Sequence, residues 1–302
     1  MTESTPYPRQ RGTIVELYAP AKLNLYLDVI DKRADGYHNI VSIMQTIGVY
    51  DVIQLEEAED ISLECSGLDI PMEANIAYKA AVFLREYTNK YQEGAPLAGV
   101  RIKIEKHIPQ GAGLGGGSSD AASVLIGLNQ LWELCLNKQE LMQIGEKLGA
   151  DVPFFIIGGT CLAEGIGTKI TQLPNLCNIW FVLVYPKINI STAGVYKNLK
   201  IKLTNGTKTV KIISSGIENN DITTICKGLY NGLETVTLNH YPQISAIKDE
   251  LTAAGCLAAL MSGSGSCVFG ITGTKEEADR VSHSLKREGW DMFVAGCCGN
   301  KR

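Results

Sequence analysis

The sequence predicts an α+β protein made of two halves that pack together. Three observations carry that prediction. The stretch up to residue 55 alternates apolar and polar residues as strands do, five glycines within residues 111–117 open an amphipathic helix, and the chain beyond residue 244 runs helix, strand, strand, helix, strand.

Taken in order, Ile14 to Tyr18 and Leu23 to Asp31 read as two strands, the second alternating through Leu23, Leu25, Leu27 and Val29. Arg33-Ala34-Asp35-Gly36 is a turn signal leading into a long strand from Ile40 to Leu55. Asn75 to Tyr87 is helical, with Ala77, Ala80, Ala81 and Leu84 on one face, and Val100 to Ile104 is a strand. After the glycines a helix starts at Ser118 or Ser119, placing Ala121, Leu125, Leu128 and Trp132 on one face. Asn137 to Leu148 is the next helix, opened by a capping-box pair, Asn137 and Glu140, and stopped by Gly149.

The pattern changes near residues 160–170, where the domain boundary is expected. Ile179 to Tyr185 is a buried strand, and the polar stretch Leu199 to Asp221 predicts a surface excursion or short strands. Ile244 to Ala254 is a helix, Leu257 to Met261 and Cys267 to Ile271 are strands, Lys275 to Arg287 is a helix and Trp290 to Ala295 the last strand. The division is drawn at residues 1–165 and 166–302, the last strand being free to pack back on the first domain.

Composition narrows the class. The chain has 302 residues with 45% apolar content, enough for real cores. A net charge of −4 argues against a nucleic-acid protein held by phosphate neutralisation. The longest apolar run, Ile179 to Tyr185, is far short of a membrane helix, and the first twelve residues have no apolar signal core. Nine scattered cysteines without a CxxC pair fit a reducing, cytoplasmic setting, that of a bacterial cytosol. No obligate protein partner is evident.

The 31 glycines exceed the roughly 21 that an average chain of this length carries at about 7%. Five of them, Gly111, Gly113, Gly115, Gly116 and Gly117, lie between a strand and a helix, where bare N–H groups attract phosphate. Three readings compete with a phosphate loop. The dinucleotide pattern G-x-G-x-x-G occurs at Gly111, Gly113 and Gly116, but the acidic residue near the required distance, Glu133, ends a helix rather than a strand. A Walker loop needs lysine where Gly117 stands. A plain turn would not call for five glycines. The remaining reading is a phosphate loop without its own lysine, whose cation must come from elsewhere.

Pro109 to Ala122 resembles the phosphate loop of the GHMP kinase superfamily. Ala19-Pro-Ala-Lys-Leu-Asn24 and Met261-Ser-Gly-Ser-Gly-Ser-Cys267 resemble its other two motifs. Arg33-Ala-Asp-Gly-Tyr-His38 and Gly149-Ala-Asp-Val-Pro-Phe154 are similar to the branch that phosphorylates the 2-hydroxyl of the cytidine-diphosphate ester of methylerythritol, in the non-mevalonate route to isoprenoid precursors. The resemblance spans about residues 18 to 296. It implies the GHMP kinase fold, an N-terminal domain like domain 2 of ribosomal protein S5 and a ferredoxin-like C-terminal domain, with ATP as phosphoryl donor and Mg²⁺.

The same resemblance assigns residues. Asp151, otherwise a helix N-cap, becomes the catalytic base, and Lys22, otherwise a snorkelling lysine, supports it. Asn24 projects from the same strand face. Pro109, Gln110, Gly111, Ala112, Gly113, Leu114, Gly115, Gly116, Gly117, Ser118 and Ser119 hold the ATP phosphates, with Asn75 and Lys106 toward the adenine. Tyr37 stacks on cytosine and His38 binds its edge, each otherwise an ordinary residue at a strand start. Tyr196 offers a second ring, Thr192 meets the methylerythritol or phosphate portion, and Gly263, Ser264 and Gly265 close the substrate site, where they might have been only a tight turn. No acidic cluster marks the metal, for which Ser118 or Ser119 is the candidate. Two alternatives stay open: a homoserine- or mevalonate-type kinase, against which Tyr37 and His38 speak, and a non-catalytic nucleotide-binding protein, against which Lys22 and Asp151 speak.

Overall fold

Pro20 gives the fold its first feature. The computed structural model describes residues 14–91, 98–200 and 206–298. In it the two expected N-terminal strands are one, β1 (Ile14–Lys32), paired antiparallel with β2 (His38–Ala58). Proline has no N–H for a ladder, which favours a break. Here the register shifts between Pro20 and Ala21 instead, from Pro20 opposite Tyr50 to Ala21 opposite Ile47, and the strand continues through the bulge. The turn between β1 and β2 holds through an Arg33–Asp35 ion pair and a hydrogen bond from the Tyr37 amide to Asp35.

Around that hairpin stand β3 (Ser62–Ser66), α1 (Ile76–Tyr91), β4 (Gly99–Glu105), α2 (Gly116–Leu131), α3 (Lys138–Glu146) and α4 (Val152–Ile157). The hairpin β5 (Thr160–Gly165) and β6 (Lys169–Gln172) pairs with β2 through β5. The helices bury the apolar faces the spacing predicts: Ala77, Ala80, Ala81 and Leu84 of α1, and Ala121, Leu125, Leu128 and Trp132 along α2, all join one core against the sheet. Asn137 caps α3 through the expected capping box with Glu140.

The chain continues through β7 (Trp180–Tyr185), α5 (Thr192–Asn198), α6 (Gly206–Glu218), α7 (Ile222–Gly228), β8 (Tyr230–Asn231), which returns to the first sheet beside β1, α8 (Glu234–His240), α9 (Pro242–Ala253), β9 (Ala258–Met261), β10 (Val268–Thr272), α10 (Lys275–Leu285) and β11 (Asp291–Gly296). The first sheet runs β3-β4-β2-β1-β8, and the second β11-β7-β10-β9, antiparallel throughout. The second order, with helices between its first and second and its third and fourth strands, is the split β-α-β arrangement of ferredoxin-like domains. Residue 165, where the boundary is expected, is the last residue of β5, and both strands of the β5–β6 hairpin belong to the first sheet.

A shared core joins the layers: Leu23 and Leu25 of β1, Ile43 of β2, Phe181 of β7 and Phe269 of β10 pack in one cluster with Ala112 and Leu114 of the glycine loop. Ile213 and Ile217 are buried there too. They belong to α6, so the reading of Leu199 to Asp221 as a surface excursion or short strands is corrected; residues 201–205 lie outside the described residues. Its apolar residues Val210, Ile213 and Ile217 are helically spaced, but Lys211, Ser214 and Ser215 between them hid the stripe. At the chain's end Cys297 bridges to Ile47 of β2, and Thr46 Oγ1 donates to the Cys298 carbonyl at 2.7 Å. No helix of the described residues is long and apolar enough to cross a membrane.

Candidate active site

The two layers leave a cleft of about 1020 Å³ between them. The glycine loop forms one wall. Helix α2 begins at Gly116 rather than at Ser118 or Ser119, which corrects the expected start. Its N-cap is Gly115, left-handed at φ 72°, with no side chain capping the first turn. The first N–H groups of a 16-residue helix therefore face the cleft without an internal partner, the arrangement that receives phosphate. A Cβ on Gly115 would lie 2.9 Å from the Phe155 ring, so only glycine lets the loop approach α4 this closely.

The loop is held in place by backbone contacts. Lys22 N donates to the Leu114 carbonyl at 3.0 Å, and Cys267 N to the Ala112 carbonyl at 3.1 Å. Ser262 Oγ donates to the Gly113 carbonyl, also at 3.0 Å. The first and third motifs thus clamp the second from both sides. A Cβ on Gly113 would stand 2.1 Å from the Ser262 carbonyl oxygen.

Lys22 and Asp151 meet across the cleft floor. Lys22 Nζ lies 3.9 Å from Asp151 Oδ2. The lysine side chain is 6% exposed and the aspartate 37%, so the cation is buried and the carboxylate is open to a ligand. Asp151 occupies the N-cap position of α4, yet its side chain makes no capping hydrogen bond. Burial pushes the Lys22 ammonium below its ordinary range, and the charge of Asp151 opposes that. The ammonium also donates to Asn24 Oδ1. Asn24 Nδ2 donates to Ser42 Oγ at 2.8 Å, and Ser42 Oγ to the Tyr26 carbonyl at 2.7 Å.

At the other end, the His38 ring rests against Tyr196 with centroids 5.1 Å apart. Tyr196 is pushed up to about 12, mainly by burial and also by the charge of Asp151. Partial burial and then Lys32 hold His38 below its ordinary value, against Asp31. Tyr37 stands at the rim, 62% exposed. Thr192 Oγ1 and Ser264 Oγ share a hydrogen bond of 2.8 Å, which ties α5 to the third motif.

Lys106 is not a free cation near a base. It is paired with Asp51 and, at 2.6 Å, with Asp120, both buried. Asp51 also accepts from the backbone N–H groups of His107 and Ile108. Asp120 Oδ1 is buried without a partner. Burial first, then the charge of Asp51, raises Asp120 to about 7 against the pull of Lys106. Asn75 caps α1, accepting from Ala77 N at 2.9 Å, and still lines the cleft.

Lys22, Asn24, Tyr37, His38, Asn75, Lys106, the loop from Pro109 to Ser118, Asp151, Thr192, Tyr196, Gly263 and Ser264 all line this one cleft. Ser119 and Gly265 do not. Ser119 is fully buried and its hydroxyl has no partner, because an α2 start at Gly116 turns it into the core. Gly265 lies behind the turn, against the Met261 sulfur. Sequence reasoning missed Asp51, Asp120 and Asn231. Asn231 Nδ2 donates to the carbonyls of Met261 and Gly263 at 2.8 and 2.7 Å and so shapes the third motif. The signal for Asp51 and Asp120 was a lone carboxylate inside an otherwise apolar or small-residue stretch.

A model of the GHMP kinases N terminal domain matches residues 75–159, and one of the GHMP kinases C terminal domain matches residues 213–291. Over 282 residues the chain is 44% identical to a 4-diphosphocytidyl-2-C-methyl-D-erythritol kinase of Acetivibrio thermocellus, covering 93% of this chain and 98% of that one. The chain belongs to the GHMP kinase family. Among solved structures, a 4-(cytidine 5'-diphospho)-2C-methyl-D-erythritol kinase superposes with a TM-score of 0.78 at 31% identity, covering 95% of this chain and 100% of that one. A homoserine kinase from Cytophaga hutchinsonii shares the fold at a TM-score of 0.75 and 18% identity, covering 97% of this chain and 98% of that one. Within this GHMP kinase fold, the cleft between the two layers collects residues of all three motifs.

Proposed function

We propose that this GHMP kinase transfers the γ-phosphoryl group of ATP to the 2-hydroxyl of 4-diphosphocytidyl-2-C-methyl-D-erythritol. The observation that carries the reading is the placement of the Lys22–Asp151 pair on the same cleft as the uncapped loop helix and the His38–Tyr196 aromatic pair. Similarity over nearly the whole length of the Acetivibrio thermocellus 4-diphosphocytidyl-2-C-methyl-D-erythritol kinase supports it. The first layer takes ATP, and the second closes over the acceptor.

In this scheme the uncapped N–H groups of Gly116 to Ser118 hold the phosphates. The open carboxylate of Asp151 accepts the proton of the attacking hydroxyl. The hydroxyl oxygen bonds to the γ-phosphorus as the bond to the bridging oxygen breaks, and ADP leaves with that electron pair. Lys22 supplies the cation the loop lacks, standing 3.9 Å from Asp151 and countering charge on the transferring phosphoryl. His38, held neutral, offers the cytosine edge a ring nitrogen, and Tyr37 and Tyr196 offer faces for stacking, worth about 1–3 kcal/mol per base.

Magnesium enters as part of the nucleotide substrate. Among the described residues no group of three or more acidic, histidine or cysteine side chains is set to hold an ion by itself. The Ser118 hydroxyl on the cleft and the unpartnered Asp120 oxygen are the donors this chain offers it, and bound there it would neutralise phosphate charge.

ADP release with Mg-ATP and the cytidylated alcohol, run beside homoserine and mevalonate, tests the reading. Turnover confined to the cytidylated substrate is expected. Turnover only with homoserine or mevalonate would overturn it, as would ATP binding with no turnover on any acceptor.

A further inference from the structure

Ser42 is an odd residue for its place. It is fully buried in β2, the strand between β1 and β5, where β-branched and aromatic residues fit best. It lines no part of the cleft. Its hydroxyl makes two hydrogen bonds, and their direction is fixed by chemistry. The Tyr26 carbonyl can only accept, so the single hydroxyl proton is committed to it at 2.7 Å. Ser42 Oγ can then only accept from Asn24, at 2.8 Å, which forces the amide nitrogen of Asn24 toward Ser42. The amide oxygen is thereby turned to Lys22, whose ammonium can only donate.

Local backbone geometry makes the chain of contacts possible. The β1–β2 register slips between Asn24 and Tyr26, from Asn24 opposite Met44 to Tyr26 opposite Ile43, so Leu25 is the extra residue of a bulge. Past the bulge Ser42 stands opposite Leu27, and its hydroxyl reaches the carbonyl of the neighbouring Tyr26.

We infer that Ser42 is a positioning residue for phosphoryl transfer: it reads the fixed polarity of a backbone carbonyl and passes it through Asn24 to orient the Lys22 ammonium beside Asp151. This rests on the catalytic reading of Lys22 given above. Without the Ser42 hydroxyl, the Asn24 amide is free to turn its nitrogen to Lys22, placing a donor against a donor.

The test pairs a structural readout with a kinetic one. In protein labelled with ¹⁵N at lysine side chains, the Lys22 signal is assigned by its loss in Lys22→Ala and titrated in each variant. Ser42→Ala is expected to move the Lys22 midpoint down, because the charged form loses its acceptor. Ser42→Thr, which keeps the hydroxyl, restores it. On an Asn24→Ala background, Ser42→Ala is expected to add nothing, since both act through one chain of contacts. In turnover, Ser42→Ala should lose about tenfold in kcat, with KM for both substrates within about twofold, as expected for misplacement of a group that acts in the transition state. A Lys22 midpoint equal to wild type in Ser42→Ala would overturn the inference, and so would a full further shift on the Asn24→Ala background. Absence of ADP release from the wild-type protein would instead remove the proposed reaction, while the Lys22 titration still decides the role of Ser42.

Discussion

Replacing Gly113 with alanine sets a backbone cost against an unfolded-state gain and then adds a clash. Its φ of 79° lies in the left-handed region, where a side chain costs about 1–2 kcal/mol. Alanine recovers about 0.4–1 kcal/mol by restricting the unfolded chain. Those terms alone leave a net cost of about 0–1.6 kcal/mol, which any glycine of positive φ shares. The decisive term is the Cβ, which would stand 2.1 Å from the Ser262 carbonyl oxygen, roughly 1 Å inside van der Waals contact. The Cβ is fixed rigidly to its own Cα and the oxygen it meets is backbone, so loop and turn must separate. The Ser262–Gly113 and Cys267–Ala112 hydrogen bonds then go, at about 0.5–1.5 kcal/mol each. Gly289 is the control, since its φ is 86° but a Cβ there meets nothing within 4 Å. Gly113→Ala is therefore expected to lie about 1–3 kcal/mol below Gly289→Ala in urea unfolding. It should also weaken ATP binding, which Gly289→Ala should leave alone. Equal midpoints and equal ATP affinities in the two variants would refute the claim that the third motif clamps the phosphate loop.

Two further outcomes follow from charge. Asp120 titrates near 7, and above that value the Asp51–Lys106–Asp120 cluster carries a net negative charge under the phosphate loop. For metal-free ATP, affinity should thus fall as pH rises through 7, and Asp120→Asn should remove that step; calorimetric titration of both proteins without Mg²⁺ across pH 6–8 checks it, and an unchanged step in the variant counts against the cluster. His38 sits below its ordinary value of 6.5, so it is neutral at pH 7 and gains a proton only on acidification. His38→Ala should raise KM for the cytidylated substrate and spare KM for ATP, and wild-type KM for that substrate should climb as pH falls below 6.5; an equal rise in both KM values would contradict a role in base recognition.

Much of the cleft was legible because its chemistry is written in backbone-permissive residues. Five clustered glycines, with lysine missing from their end, pointed to a phosphate loop and to a cation delivered from another segment; the family resemblance put Lys22 beside Asp151, and the two stand 3.9 Å apart on the same cleft as the loop. The apolar faces of α1 and α2 were legible for the usual reason, a helical period on one side. What escaped was non-local. Pro20 reads as a break, and only pairing with β2 shows that a bulge absorbs it. Ser119 reads as a cap, and only the start of α2 one turn earlier turns it inward. Lys106 reads as a surface lysine beside the loop, because nothing local announces Asp51, which comes from 55 residues away. α6 was hidden by the polar residues on its outer side, although Ile213 and Ile217 bury themselves between the two sheets.

The account turns on Asp151 as the proton acceptor beside Lys22. The most direct measurement is single-turnover phosphoryl transfer by Asp151→Asn at saturating Mg-ATP and cytidylated substrate, with ATP affinity measured on the same preparation. Loss of a positioned base predicts a rate about 10²–10⁴-fold below wild type, with ATP affinity nearly unchanged. A rate within tenfold of wild type would contradict the account, because a neutral amide cannot take the hydroxyl proton.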